Sequence, residues 1–255
     1  MRKAIICFFF ALSFCVANGQ DRIGVTQKSG SEKSSASWLI GIQAGGSLLL
    51  TPTADVKNTM TNMGIPNTKI DDYIRQYKNG FSLSGDLHYL LKRSFGLGVN
   101  YSFFTSSSKL DFTLPIPAAT GYIFNFNFDE KLYVNYVGPS VIFQQSLNKN
   151  SRFQLSEAAS LGYVNYRDEL RTRNSATLPD ALAKSHSWGG TIDLSCEYFL
   201  IPWLSVGVNA GIMYVLPIKE ENISTTIGSA TVKLEENQYE KLSRFDYSIS
   251  ARFHF

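Results

Sequence analysis

The last eleven residues constrain the fold more than any other stretch. Phe245, Tyr247, Ile249, Ala251, Phe253 and Phe255 occupy the odd positions, and Asp246, Ser248, Ser250, Arg252 and His254 the even ones. Successive side chains of a strand point to opposite faces, so this segment reads as a strand with one apolar and one polar face. In a soluble protein such an apolar face packs on a second layer. In a membrane barrel it meets lipid, and the polar face lines the interior.

The same alternation recurs upstream. Trp38, Ile40, Ile42, Ala44 and Leu48 oppose Gly41, Gln43, Gly45 and Ser47. Phe81, Leu83, Leu87, Tyr89 and Leu91 oppose Ser82, Ser84, Asp86 and His88. Segments 95–103, 188–200 and 204–216 repeat the pattern. Two weaker segments, 132–146 and 153–166, complete a set of eight. Strands of about ten residues cross a bilayer when tilted. The connections alternate long (49–79, 106–131, 167–186, 219–240) and short (92–94, 147–151, 201–202). This predicts an all-β fold: an eight-stranded antiparallel up-and-down transmembrane β-barrel with a short helix in the first long loop. Short turns and both termini are expected on the periplasmic side, with the long loops outside. A soluble lipocalin-like barrel is the competing fold, and it lacks a reason for one-sided long loops.

The N-terminus agrees with export. Arg2 and Lys3 precede an apolar run from Ile5 to Val16, and Ala17-Asn18-Gly19 is a small-x-small site, so residues 1–19 read as a signal peptide. Bulky Phe14 argues against acylation of Cys15. Residues 20–36 read as a flexible leader and 37–255 as the outer-membrane barrel. Cys196 alone remains after cleavage, which excludes an internal disulfide. The net charge of +3 is small, without a compact basic run, so no nucleic-acid partner is expected.

Within the first long loop, Ile70, Tyr73, Ile74 and Tyr77 fall at helical spacing. A helix is predicted over 68–79, capped by Asn67 or Thr68 and ended by Gly80. Residues 106–131 read as a protruding hairpin. The parity of Tyr122, Phe124, Phe126 and Phe128 continues into Leu132, Val134 and Tyr136, then changes near Gly138-Pro139, where a bulge is expected. A second register shift is expected near Ser156-Glu157, because unbroken parity turns Glu157 toward lipid.

With the signal peptide, the eight strands and the terminal Arg252-Phe-His-Phe255, the chain resembles small eight-stranded outer-membrane barrels of the OmpA/OmpX type. The blocks Tyr136-Val-Gly-Pro-Ser140 and Leu161-Gly-Tyr163 are similar to those of barrels from Bacteroidetes-type bacteria, including the PorT-like group. The resemblance implies an outer-membrane location, outer-membrane lipid as surroundings, and recognition of a C-terminal aromatic signal, here Phe253 and Phe255, by the barrel-assembly machinery.

The candidate residues fall into three sets. Gln43, Asp86, His88, Asn100, Asn135, Asp193, Glu197, Asn209, Arg244, Asp246, Arg252 and His254 are expected to fill the lumen. A barrel of this size is barely wide enough for side chains, so charges there must pair. Asp86 with His88, and Arg252 with His254, share a face two residues apart, a weak metal signal, and no metal or cofactor is expected. Tyr122, Phe124, Phe126 and Phe128 form a candidate partner surface, an exposed sheet edge able to add a strand from an envelope or extracellular protein. His186, Ser187 and Glu157 invite comparison with lipid-modifying barrel hydrolases. Adjacent residues on a strand diverge, however, so no catalytic set is assigned. The expected role is therefore non-enzymatic, structural or interacting. The alternatives are a lipid-modifying outer-membrane enzyme and a narrow channel or secretion-system component.

Overall fold

A computed structural model describes residues 37–92, 94–115, 123–147, 152–173, 180–225, 227–235 and 239–255, with 114–115, 123–126 and 173 by their backbone alone. The expected signal peptide and leader, and Tyr122, lie outside the described residues.

The elements are β1 (Ser37–Leu49), α1 (Ala54–Asn62), α2 (Asn67–Lys78), β2 (Asn79–Lys92), β3 (Phe95–Pro115), β4 (Ile123–Ser146), β5 (Phe153–Arg173), β6 (Ala181–Ile201), β7 (Leu204–Val215), β8 (Glu220–Thr225), β9 (Ser229–Lys233) and β10 (Arg244–His254). Antiparallel pairing runs β5-β4-β3-β2-β1-β10-β7-β6, and β6 returns to β5, so eight strands close into a ring without a free edge.

The register fixes the barrel's size. Leu39 lies opposite His88, and the path continues through Gly98, Ser140, Ser160, Thr191, Met213 and Arg244 to Leu49. One circuit therefore climbs from position 39 to position 49 of β1. With a rise of ~3.3 Å per residue and a strand spacing of ~4.8 Å, that stagger gives a tilt of roughly 40° and a radius of roughly 8 Å.

The outer face carries a belt of exposed apolar side chains, including Ile42, Leu87, Val99, Ile192, Val208 and Ile249. Aromatic pairs ring the rim at its short turns: Trp38 with Tyr89 (5.0 Å between centroids), Phe95 with Phe143 (5.1 Å), Phe153 with Tyr198 (4.9 Å) and Trp203 with Phe253 (6.2 Å). Phe103 with Tyr133 and Tyr163 with Trp188 mark the opposite rim. An apolar band between two aromatic rings is the surface that a bilayer covers.

Beyond the outer rim, β3, β4, β5 and β6 continue as a raised wall, while β1, β2, β7 and β10 stop near the rim. Segment 167–186, expected as a loop, is largely strand: Arg167 pairs with Lys184 and Leu170 with Ala181. Segment 219–240, expected as a charged loop, contains the β8–β9 hairpin, which extends the wall through Ala181↔Thr225. Charge hid these strands. Their outer faces meet water, so polar residues are no evidence against a strand there.

This change of surroundings corrects the two expected register shifts. β4 stays in one register with β3 from Phe95↔Phe143 to Pro115↔Ile123, without a bulge at Gly138-Pro139. The β4–β5 ladder merely lacks the pairs at 138 and 139. There the backbones approach so closely that a Cβ on Gly138 would lie 2.3 Å from the Leu161 carbonyl oxygen, and one on Gly162 2.2 Å from that of Val137. Below the rim, the odd positions Val137, Val141 and Phe143 face outward to lipid. Above it, the even positions Leu132, Val134 and Tyr136 face inward and are buried. The apolar face inverts because the outside changes from lipid to water; the strand itself does not shift. β5 is likewise unbroken, with Glu157 between Phe143 and Leu194 on the outer face, half-buried. Shifting a strand paired on both sides would strand backbone groups in lipid at several kcal/mol each, more than one carboxyl costs.

The first long loop holds two helices where one was expected. α2 starts after Pro66, without a side-chain cap, and ends at Lys78. Gly80 already belongs to β2, where a Cβ would stand 2.4 Å from the Phe104 ring and from the Thr105 carbonyl oxygen. Ile70 of α2 is fully buried and clusters with Ile65, Leu110, Phe112 and Phe128 on the inner face of the wall.

Candidate functional site

The lower interior is a charged network. Arg252 reaches across the barrel from β10 to β2 and β6. Its Nη2 lies 3.2 Å from Asp86 Oδ1, and its Nη1 donates to Glu197 Oε1. His88 Nδ1 is 3.0 Å from Asp86 Oδ2, and His88 Nε2 is 3.0 Å from Ser140 Oγ. An ionised carboxylate only accepts, so Nδ1 donates to Asp86. Gly41 makes room for this cluster, since a Cβ there would lie 2.2 Å from Asp86 Oδ1. Asn100 donates to Thr191, which bonds Ser160, and Ser160 bonds Tyr136.

Higher up, Arg244 is fully buried. Its Nε bonds both Asp246 oxygens at 3.0 and 3.1 Å, its Nη2 donates to Ser102, and its guanidinium lies 5.1 Å from the Phe104 ring centre. Ser47 also donates to Asp246. Asp193 faces inward, half-buried, and Asn209 bonds Ser248 and Ser250. Above this level the lumen turns apolar: Leu49, Phe104, Leu132, Val134, Val164 and Tyr166 belong to one buried cluster. The interior is thus filled by an ionic layer below and an apolar layer above.

Asn135 departs from the expected lumen set. It lies on the outer face, where Tyr101 Oη donates to its side chain at 2.8 Å. Sequence reasoning missed the hydroxyls of Ser47, Ser102, Ser140 and Ser205, which solvate the charges. Their inward parity beside charged positions was the available signal.

Ser205, His254 and Glu197 come together near the short-turn end, and their geometry argues against nucleophile activation. Ser205 Oγ donates to Glu197 Oε2 at 2.7 Å, so its one proton is not directed at His254 Nε2, 3.0 Å away. Ser205 is also fully buried. His186 and Ser187 diverge: His186 stacks outside on Tyr163, whereas Ser187 turns inward and donates to the Leu216 carbonyl at 2.8 Å.

At the mouth, α2 covers the β3 edge left open above Thr105. Lys109 N donates to Gln76 Oε1 at 3.2 Å, and Tyr73 Oη donates to Glu130, which also accepts from Ser108 at 3.0 Å. Burial, reinforced by Glu130, pushes the Tyr73 hydroxyl and the nearby Asp168 carboxyl up, Asp168 to about 9. Burial pushes Glu240 up to about 7.

Of the expected partner surface Tyr122, Phe124, Phe126 and Phe128, only the Phe128 side chain is among the described ones. Phe128 turns inward, half-buried, and stacks on Phe112 at 6.1 Å. Apolar positions above the rim build the wall's inner core, and a helix covers the sheet edge. Phe124 and Phe126 pair with Leu114 and Phe112 through the backbone. At the other end, Phe253 stacks on Phe255 outside the barrel.

No protein-family model and no curated protein matches the chain. Solved structures do. A major outer membrane protein from Thermus thermophilus aligns over 87% of this chain and 100% of its own, with a TM-score of 0.53 at 13% identity. Pseudomonas aeruginosa OprG aligns over 88% and 97% (TM-score 0.48, 12% identity). Neisserial surface protein A aligns over 87% and 99% (TM-score 0.46, 14% identity). The closed ring, the lipid-facing belt and the Thermus likeness together give this chain the fold of a small eight-stranded outer-membrane β-barrel.

Proposed function

We propose that this barrel is a non-enzymatic scaffold that holds a raised sheet above the outer membrane as an interaction surface. One observation carries this reading: the lumen is filled at two levels, ionic and apolar, while four of the eight strands run on past the rim. A packed interior suits a support better than a conduit. Length beyond the rim adds nothing to anchoring, so its use lies in presenting a surface. Both helices and the β8–β9 hairpin brace that wall, and the buried, wrongly directed Ser205 further supports the non-enzymatic reading.

The test is to replace residues 106–131 by a tight turn. The shortened chain should still migrate as a heat-modifiable barrel yet lose crosslinks to envelope or extracellular proteins formed by the intact chain in cells. Unchanged crosslinking would refute the reading. So would a steady single-channel conductance of the intact chain in planar bilayers, or a mass change in outer-membrane lipid that depends on its expression.

A further inference from the structure

We propose that the outer face of β4–β6, just above the aromatic rim, binds the phosphate of an outer-leaflet lipid headgroup. The register stacks this face in rows. Val137, Tyr163 and Trp188 lie side by side at the rim, then Asn135, Asn165 and His186, then Tyr133, Arg167 and Lys184. An apolar row, a neutral hydrogen-bonding row and a basic row thus follow one another going up the wall.

Arg167 and Lys184 are directly opposite on paired strands. Like charges so placed repel, and an anion between them reverses the sign. The nearby carboxylate of Glu169 is already shared, 2.5 Å from Arg167 and 3.5 Å from Arg171. Among the described residues, Lys184 has no ion-pair partner. On the neighbouring strand Lys109 is paired with Asp129, so the uncompensated positive charge centres on β5 and β6.

Height selects a lipid over a soluble anion. Arg167 stands four residues above Tyr163, about 10 Å along the barrel axis. The headgroup layer extends roughly 5–8 Å beyond the hydrocarbon on each side, so a long basic side chain at that height bends down into it. Below the basic row, Leu161 (76% exposed) and Trp188 (64% exposed) offer the apolar surface that acyl chains would cover. Headgroup and chain contacts are therefore continuous. His186, held by its stack on Tyr163 at 5.9 Å, and Asn165 supply hydrogen bonds between them.

The experiment uses the full folded chain in phosphatidylethanolamine nanodiscs doped with bisphosphorylated lipid A, or with the same lipid A after phosphatase treatment. Lipid retained on release from the disc is read by native mass spectrometry. The phosphorylated form should be retained about fivefold over the dephosphorylated one. R167Q/K184Q should abolish that preference, R167K/K184R should keep it, and K57Q on helix α1 should leave it unchanged. Heat-modifiable migration checks folding, which removal of facing like charges should not harm; if the double variant fails to fold, K184Q alone should weaken the preference. Equal retention of both lipids, or an undiminished preference in R167Q/K184Q and in K184Q, would overturn the proposal. Full displacement by millimolar inorganic phosphate would overturn it too, marking a soluble-anion site.

Discussion

Arg252 is the most informative residue to remove. Its guanidinium is 4% exposed and sits between two carboxylates, Asp86 and Glu197, that are 6% and 1% exposed. R252M fills similar space but leaves both acids without their cation. Losing one partner of a buried pair costs about 3–5 kcal/mol. Two orphaned acids put R252M at the upper end of that range, moderated because Arg252 Nε is itself unpartnered and its loss costs nothing. Glu197 keeps Ser205, and Asp86 keeps His88. The triple variant R252M/D86N/E197Q removes the charges altogether and should recover all but about 1–2 kcal/mol, since neutral replacement of a buried network is often tolerated. The assay is urea unfolding of the folded barrel in lipid vesicles, followed by tryptophan fluorescence, since Trp38, Trp188 and Trp203 all lie exposed on the outer face. A loss below about 1 kcal/mol in R252M, or a triple variant no more stable than the single one, would refute the account of the lumen as a paired ionic core.

Three further outcomes follow from the upper half. V134D places a carboxylate in the apolar lumen and should cost about 3 kcal/mol or more, whereas N135V on the outer face of the same strand should change urea stability by less than about 1 kcal/mol. Y73F removes the donor to half-buried Glu130 and should loosen α2 by about 1–3 kcal/mol, read as faster trypsin cleavage at Arg75 with barrel melting unchanged. Raised carboxyl pKa values mean that the folded mouth holds protons the unfolded chain has released. Its stability is therefore fully present below about pH 4 and falls as pH rises toward 7 for Glu240 and toward 9 for Asp168. Amide exchange in α2 should accelerate over that window, and a rate that slows with rising pH, after correction for intrinsic exchange, would contradict the assignment.

Alternation made the ring legible. It told which residues share a face in the segments ending at Leu48, Leu91, Phe103, Leu216 and Phe255, and the spacing of turns did the rest. It did not tell which side that face looks toward. Leu132, Val134 and Tyr136 alternate as cleanly as Phe245 and Tyr247, yet the first three look inward and the last two outward. Apolar parity reports the contrast between two environments, and the sign of that contrast changes at the rim. The same blindness placed Asn135 in the lumen, moved Glu157 off the lipid face, and took the polar segments 167–186 and 219–240 for loops. The lumen charges were visible as types, whereas their pairing across β2, β6 and β10 depends on the stagger of the closed ring.

The inversion of faces at the rim sets a rule for how such a chain can change length. Each long strand is read by two solvents in opposite phase. One residue added or lost at the crossing would turn the whole upper segment inside out, setting Leu132 and Val134 in water and Lys131 against the core. Two residues would leave every side chain on its own side. Variation in the height of the wall should therefore come in even steps, so that the strands behave as a two-residue reading frame with the membrane surface as its start.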